Sequence, residues 1–273
     1  EAEIYNFMGQ DNLVFHTLMW PGQLIGSKKG YTLPRNVIVN KFMNYEGKKF
    51  SKSRNWTIDS KVMAQKYGPD LVRYYITANL PENKESNFTW EGFVDAVNNE
   101  LVANLGNLIN RTLKFLESKF AGEAVLDSFV TDPALEAEIR SAYPEIAQHL
   151  KQAGFVMGLQ RLMQLARFGN KYFDETRIWE VIKSDQNKAK EIIINLLNLI
   201  ANLRTLMLPF LPDGSAKLAG LLGMTSTLQE NGVVGTDLWQ PAFSGSFKLT
   251  GPVSVLFGKL DRAMVLSEKD TVR

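Results

Sequence analysis

Residues 89–116 read TWEGFVDAVNNELVANLGNLINRTLKFL. Apolar side chains return there every three or four positions, at Phe93, Val94, Val97, Leu101, Leu105, Leu108, Ile109, Leu113 and Leu116. That spacing builds the buried stripe of a long amphipathic helix, with Thr89 placed to cap its first turn. The pattern on the two sides of this stretch differs, and the difference sets the architecture. Upstream, Tyr5-Asn6-Phe7-Met8-Gly9 reads as a short strand ending in glycine, and Asn36-Val37-Ile38-Val39-Asn40 as a second strand. Val14 to Ile25 is apolar at helical spacing, with Pro21 expected to break or kink it, and Trp20 reads as core. A short helix is expected from Asp59 to Gly68-Pro69 and another from Asp70 to Thr77, followed by a polar, loop-like Pro81–Asn87. Downstream, Gly122 to Val130 reads as a connection. Asp132-Pro133 caps a helix running towards Leu150, Gly154 to Phe173 gives a third and Ala189 to Leu208 a fourth, closed by Pro209 and Pro212. Lys217 to Leu222 adds a short fifth. Beyond Gly223 the chain reads as irregular, with Phe257 to Val265 as a small final element. The expected fold is part of an α/β nucleotide-binding domain followed by an all-α helical bundle.

The 273 residues suffice for two domains, and 45% hydrophobic with 22% charged residues is ordinary globular composition. A net charge of +2 means that any nucleic-acid partner must be met by local patches rather than a global field. The absence of cysteine excludes disulfides and cysteine-based zinc sites within this sequence. No apolar run reaches membrane-spanning length, because Asn195, Asn198, Asn202 and Arg204 interrupt the best candidate.

Lys48-Lys49-Phe50-Ser51-Lys52-Ser53-Arg54 places four cations, two hydroxyls and one apolar anchor in a loop-sized stretch after Gly47. Mobile cations and hydroxyl donors suit a site that holds a triphosphate and releases pyrophosphate, because they stabilise charge developing on phosphate oxygens. By itself the stretch fits a solvated basic loop as well.

Its neighbours narrow the choice. Lys49-Phe50-Ser51-Lys52-Ser53 resembles the KMSKS signature of class I aminoacyl-tRNA synthetases. Phe7-Met8-Gly9-Gln10-Asp11-Asn12, Phe15-His16-Thr17 and Trp20-Pro21 are similar to a segment that precedes this signature in methionyl-tRNA synthetases. Leu33-Pro34-Arg35-Asn36, Asp70-Leu71-Val72-Arg73-Tyr74-Tyr75 and Asn87-Phe88-Thr89-Trp90-Glu91 follow in family order. So do Leu105-Gly106-Asn107 with Arg111, and Asn170-Lys171-Tyr172 with Trp179. The resemblance implies the second half of a Rossmann-like catalytic domain over 1–88, an anticodon-binding bundle over 89–230, and an irregular C-terminal segment over 231–273. It implies a two-step reaction: methionine attacks the α-phosphate of ATP, and the aminoacyl group then passes to a tRNA bearing a CAU anticodon. ATP with Mg2+ is the implied substrate complex, no membrane is involved, and the implied location is cytoplasmic.

Carried onto this sequence, the resemblance places Lys52 on the β- and γ-phosphates, a role that suits a compact charge on a flexible stem. Lys49, Ser51 and Ser53 assist, and Phe50 anchors the loop. Gly9 and Asp11 meet the adenosine, although Gly-x-Asp alone is a common turn. Phe15 and His16 belong to the methionine pocket. Asn107 and Arg111, on one helix face, combine with Trp179 to read an unstacked base: two edge donors and a stacking platform. The residue before this tryptophan is commonly proline in the family and is Ile178 here. Arg73, Tyr74 and Tyr75 read as structural, with Arg73 tying its short helix to the bundle.

The family's two-histidine motif is missing, since His16 and His149 lie far apart. The expectation is therefore a C-terminal portion of a synthetase, inactive alone, with zinc belonging to an absent N-terminal part and no metal site here. The alternatives are an inactive tRNA-binding module, or a related class I synthetase for another apolar amino acid.

Overall fold

The structure is a computed structural model that describes residues 3–224 and 242–271. The part of the expected irregular segment that falls on 231–241 lies outside the described residues. The chain forms two compact units, one of residues 1–57, 79–90 and 268–273, the other of residues 58–78 and 91–267.

In the first unit, β1 (Tyr5–Gly9) pairs in parallel with β2 (Asn36–Asn40), Tyr5 opposite Asn36 and Gly9 opposite Asn40. The connection between them is helical, and Pro21 does not break it. A π-helical turn, Phe15–Met19, runs directly into α1 (Trp20–Gly26), and the Trp20 N–H donates five residues back to the Phe15 carbonyl. Proline lacks the amide that closes an ordinary turn, and a wider turn absorbs both the missing donor and the ring. Phe7, Val14, Phe15, Leu18, Met19 and Ile25 are each at least half exposed.

The second sheet of this unit carries the basic stretch. β3 (Met43–Tyr45) turns through Glu46 and Gly47 into β4 (Lys48–Lys49) and pairs in parallel along its other edge with β5 (Ser86–Phe88). Glu46 and Gly47 both have positive φ, 46° and 79°, the two-residue turn that matches the natural twist of a hairpin. The basic stretch thus begins as a strand, and the polar stretch expected as a loop ends in one. Tyr45, 1% exposed, is the hub. Its ring stacks on Phe50 at 5.6 Å and meets Trp56 at 5.0 Å. Its hydroxyl accepts from Trp90 Nε1 at 2.9 Å, and its carbonyl accepts from Trp56 Nε1 at 2.9 Å.

In the second unit, Asp59 caps α2 (Ser60–Tyr67) through the amides of Lys61 and Val62, and α3 (Pro69–Ala78) follows. The long helix expected from the opening stretch is real but not uniform. It begins as α4 (Trp90–Asp95), widens into a π-helical stretch over Ala96–Gly106, and returns to α-geometry as α5 (Asn107–Phe120). Val97, Leu101 and Leu105 are four residues apart and wholly buried. β6 (Glu123–Val125) lies inside the expected connection. Next come α6 (Pro133–Lys151), capped by Asp132 as its sequence implies, α7 (Phe155–Thr176), the short α8 (Ile178–Ser184), α9 (Gln186–Met207) and α10 (Pro212–Leu221). β7 (Ser246–Lys248) pairs antiparallel with β6, and α11 (Arg262–Leu266) covers only the end of the expected final element and runs one residue past it. Among the described residues no helix is long and apolar enough to cross a membrane.

From Ile192 to Met207 every residue of α9 except Thr205 is buried, the signature of a helix packed on all sides. The corner between α9 and α10 is held from α3. Arg73 donates through Nε to the Phe210 carbonyl at 2.9 Å and through Nη2 to the Pro209 carbonyl at 2.7 Å. Asp70 accepts from the amides of Gly214 at 2.6 Å and Asp213 at 3.3 Å. The cation thus meets carbonyls at the end of one helix and the anion meets amides at the start of the next, matching both dipoles. Burial lifts the Asp70 carboxyl above the usual carboxylate range, and the two amides pull it back. Asp70→Ala leaves those amides unpaired and is expected to lower stability by about 1–2 kcal/mol, measured by urea denaturation.

Candidate functional site

The basic stretch is a short strand followed by a tight turn. After β4, Ser51 and Trp56 bridge to each other through backbone bonds of 2.9 Å, and Lys52–Arg54 form a single 3-10 turn between them. Asn55 closes the turn in the left-handed region, at φ 52°. Ser51 Oγ lies 3.3 Å from Ser53 Oγ and accepts from Arg54 Nε at 3.2 Å, so the two predicted hydroxyls are neighbours. Lys49, Lys52 and Ser53 are exposed. Phe50 holds the loop by stacking on Tyr45, with 42% of its own surface still open. Lys48, Lys49, Arg54 and Trp56 line an open recess of about 340 Å³. Lys48 Nζ stands 5.0 Å from the centre of the Trp56 ring, in cation–π range. Lys48 and Arg54 entered the sequence reading only as two of the four cations of the stretch and Trp56 not at all, whereas the structure turns all three into the same recess as Lys49.

Gly9 and Asp11 lie at the C-terminal end of β1, where ligands meet parallel sheets. A Cβ on Gly9 would stand 2.6 Å from Asp11 Oδ1, so glycine is what lets this carboxylate fold back over the strand end. Phe15 and His16 occupy the π-helical turn. His16 meets the Trp20 ring edge-on at 6.1 Å, and its Nδ1 is buried without a hydrogen-bond partner among the described residues. No hydrogen bond, ion pair or ring contact among the described residues joins Phe15 or His16 to Gly9, Asp11 or the basic loop.

The second cluster lies in the bundle, where α5, α7 and α8 bring Asn107, Arg111 and Trp179 together. Asn107 and Arg111 are one turn apart on α5, and each faces a partner one turn apart on α7. Asn107 Nδ2 donates to Asn170 Oδ1 at 3.2 Å, and Arg111 Nη2 donates to Asp174 Oδ1 at 2.7 Å. The Arg111 guanidinium lies 3.8 Å from the centre of the Phe173 ring. Phe173, 4% exposed, stacks in turn against Trp179 at 6.0 Å and 22°. Guanidinium, phenyl and indole therefore form one layered stack, and Trp179 remains 39% exposed. The tryptophan sits on α8, a separate short helix set off by Arg177 in the left-handed conformation. Ile178, standing where the family commonly has proline, is wholly buried at the first position of α8, and the indole orientation comes from Phe173. The sequence reading assigned no role to Asn170, Phe173 or Asp174. The matching four-residue spacings of 107/111 and 170/174 were the available signal, but only packing shows that the two helices face each other there.

Comparison with known proteins adds the following. Residues 1–113 match the family described as tRNA synthetases class I (M), and residues 128–260 match the anticodon binding domain of methionyl tRNA ligase. Methionine–tRNA ligase 1 of Bacillus cereus is 36% identical over 82% of this chain and 41% of its own length. Methionine–tRNA ligase of Chloroherpeton thalassium is 35% identical over 100% of this chain and 40% of its own. The chain thus spans about two-fifths of the length of these relatives. Among solved structures, Mycobacterium tuberculosis methionyl-tRNA synthetase in complex with methionyl-adenylate superposes with a TM-score of 0.80 at 25% identity, covering 92% of this chain and 49% of that one. In the bundle cluster, Phe173→Ala removes the layer between Arg111 and Trp179. The expected outcome is a stability loss of about 3–5 kcal/mol in thermal unfolding, with a red shift of tryptophan emission.

Proposed function

We propose that this chain, which belongs to the methionyl-tRNA synthetase family, supplies the signature-loop wall and the anticodon-reading bundle of an enzyme that attaches methionine to its tRNA. The observation that carries the reading is the layered cluster of Arg111, Phe173 and Trp179 with Asn107 beside it. It offers a partly open aromatic face flanked by edge-bonding groups, which is what recognition of a splayed base requires.

On the catalytic side, the chain contributes charge rather than a nucleophile. Lys52, with Lys49, Ser51 and Ser53, holds the β- and γ-phosphates of ATP while the methionine carboxylate attacks the α-phosphate and pyrophosphate departs. Lys48 and Arg54 add positive potential in the recess against Trp56. Gly9 and Asp11 receive the adenosine, and Phe15 with His16 form part of the methionine pocket. Mg2+ arrives with ATP as part of the substrate. Among the described residues no three His, Cys, Asp or Glu side chains converge on a metal site. The exposed apolar surface of Phe7, Val14, Phe15, Leu18, Met19 and Ile25 is one that a soluble protein covers. In the proposed whole enzyme the rest of the nucleotide-binding domain lies on it, and the enzyme is cytoplasmic.

The purified chain is expected to show no methionine-dependent exchange of pyrophosphate into ATP, and exchange at an ordinary synthetase rate would refute the division of labour. In the whole enzyme, Lys52→Ala is expected to lower the rate of adenylate formation by roughly 100- to 1,000-fold, read in the same exchange assay.

A further inference from the structure

We propose that Asn170 and Asn104 are positioning residues that decide which atom of Asn107 faces a base, a reading that rests on the anticodon function above. Nδ2 of Asn170 is surrounded by three oxygens: the Asn104 carbonyl at 3.1 Å, Asn104 Oδ1 at 3.2 Å and the Ala166 carbonyl at 3.1 Å. Two are main-chain carbonyls, which only accept, so the atom among them must be the donor nitrogen and not the oxygen. Oδ1 of Asn170 consequently points the other way, where it takes Asn107 Nδ2 at 3.2 Å. Asn104 is anchored in the same sense, donating through Nδ2 to the Met163 carbonyl at 2.9 Å. The three amides form a directed chain from Asn107 through Asn170 and Asn104 to a backbone carbonyl of α7, and no member can flip without placing oxygen against oxygen.

The consequence falls on the exposed end. With one of its two N–H groups given to Asn170, Asn107 directs Oδ1 away from that partner, and Oδ1 receives no hydrogen bond from the described residues. One turn further along α5, Arg111 offers only donors. An acceptor beside donors complements the edge of cytosine, whose exocyclic amino group adjoins acceptor atoms. Uracil carries an oxygen in place of that amino group. The relay therefore sets the preference for an amino-bearing pyrimidine over a carbonyl-bearing one, although Asn170 and Asn104 need not touch the base.

The test measures binding of two RNA hairpins, one with the loop anticodon CAU and one with UAU, to the chain by fluorescence anisotropy. The unmodified protein is expected to favour CAU on the order of tenfold, and Asn170→Ala or Asn104→Ala to reduce that ratio to about twofold or less. Thermal unfolding confirms that each variant is folded, and Asn104→Ala, remote from the base, carries the test if Asn170→Ala does not fold. Asn107→Asp presents oxygen in either orientation, so adding Asn170→Ala to it is expected to leave the ratio unchanged. No preference in the unmodified protein would overturn the anticodon reading and this one together. A preference that survives intact in both alanine variants would overturn the relay alone. A loss in the Asn107→Asp background equal to that in the native background would mark Asn170 as merely structural and also overturn it.

Discussion

A buried side-chain amide needs partners for both its oxygen and its nitrogen, and α9 carries three such amides in a helix packed on every side. Asn195 accepts from the Asp132 amide at 3.0 Å and so sits at the start of α6, whose own cap is Asp132. Asn202 accepts from the Tyr143 hydroxyl at 2.8 Å, further along the same helix. Asn198 exchanges two bonds with the backbone of Phe243, at 2.9 and 3.0 Å, as a neighbouring strand would. A polar group left unpaired at such depth costs about 1–3 kcal/mol, so the three amides restrict the register of whatever packs on α9. Hydrophobic burial alone is indifferent to a slip of one turn, whereas these bonds are not.

The same device recurs away from α9. Asn98 exchanges two bonds with the backbone of Leu260, at 2.8 and 2.9 Å, and Arg262 then pairs with Asp95 at 2.6 Å and with Glu91. The C-terminal segment is therefore pinned at Phe243, at β7 and at Leu260, alongside the buried side chains of Phe247, Val253, Phe257 and Val265. With α7 seated against α9, Asn170, Phe173 and Asp174 are delivered to one face, and the layered cluster needs nothing more from the backbone than α5 and α8 beside it. Rigid helices hold such a cluster more closely than loops can. The basic stretch follows the opposite logic. Its strand half is tied down by Tyr45 and Trp56, while Lys52 and Ser53 remain exposed on a single turn.

Much of this was legible from residue order. Asp132 before Pro133 announced the start of α6, and Gly68-Pro69 separated α2 from α3, because caps and prolines act over a few residues. The role of Arg73 as a tie was also readable, although its acceptors, the carbonyls of Pro209 and Phe210, lie more than 130 residues away. Of the two outcomes expected at Pro21, the break does not occur because a wider turn takes up the missing donor, and the π-helical stretch over Ala96–Gly106 was missed because wider turns were not considered. Local rules assume 3.6 residues per turn, and Ala96–Gly106 departs from that period. β5 and β6 were missed because three-residue strands have no periodicity to detect and exist only through partners at β3 and β7.

The sequence by itself determined the family, the alternation of a short α/β part with a helical bundle, and the residue types able to hold phosphate or stack on a base. These depend on composition, spacing and caps, all of which act along the chain. Tertiary structure alone decided that Phe173 stands between Arg111 and Trp179, that Lys48 and Arg54 share a recess with Lys49, and that Asn107 shows its oxygen outward. Each of those outcomes is set by a partner across a helix or sheet interface, and the direction of a hydrogen bond is a property of the pair rather than of either residue.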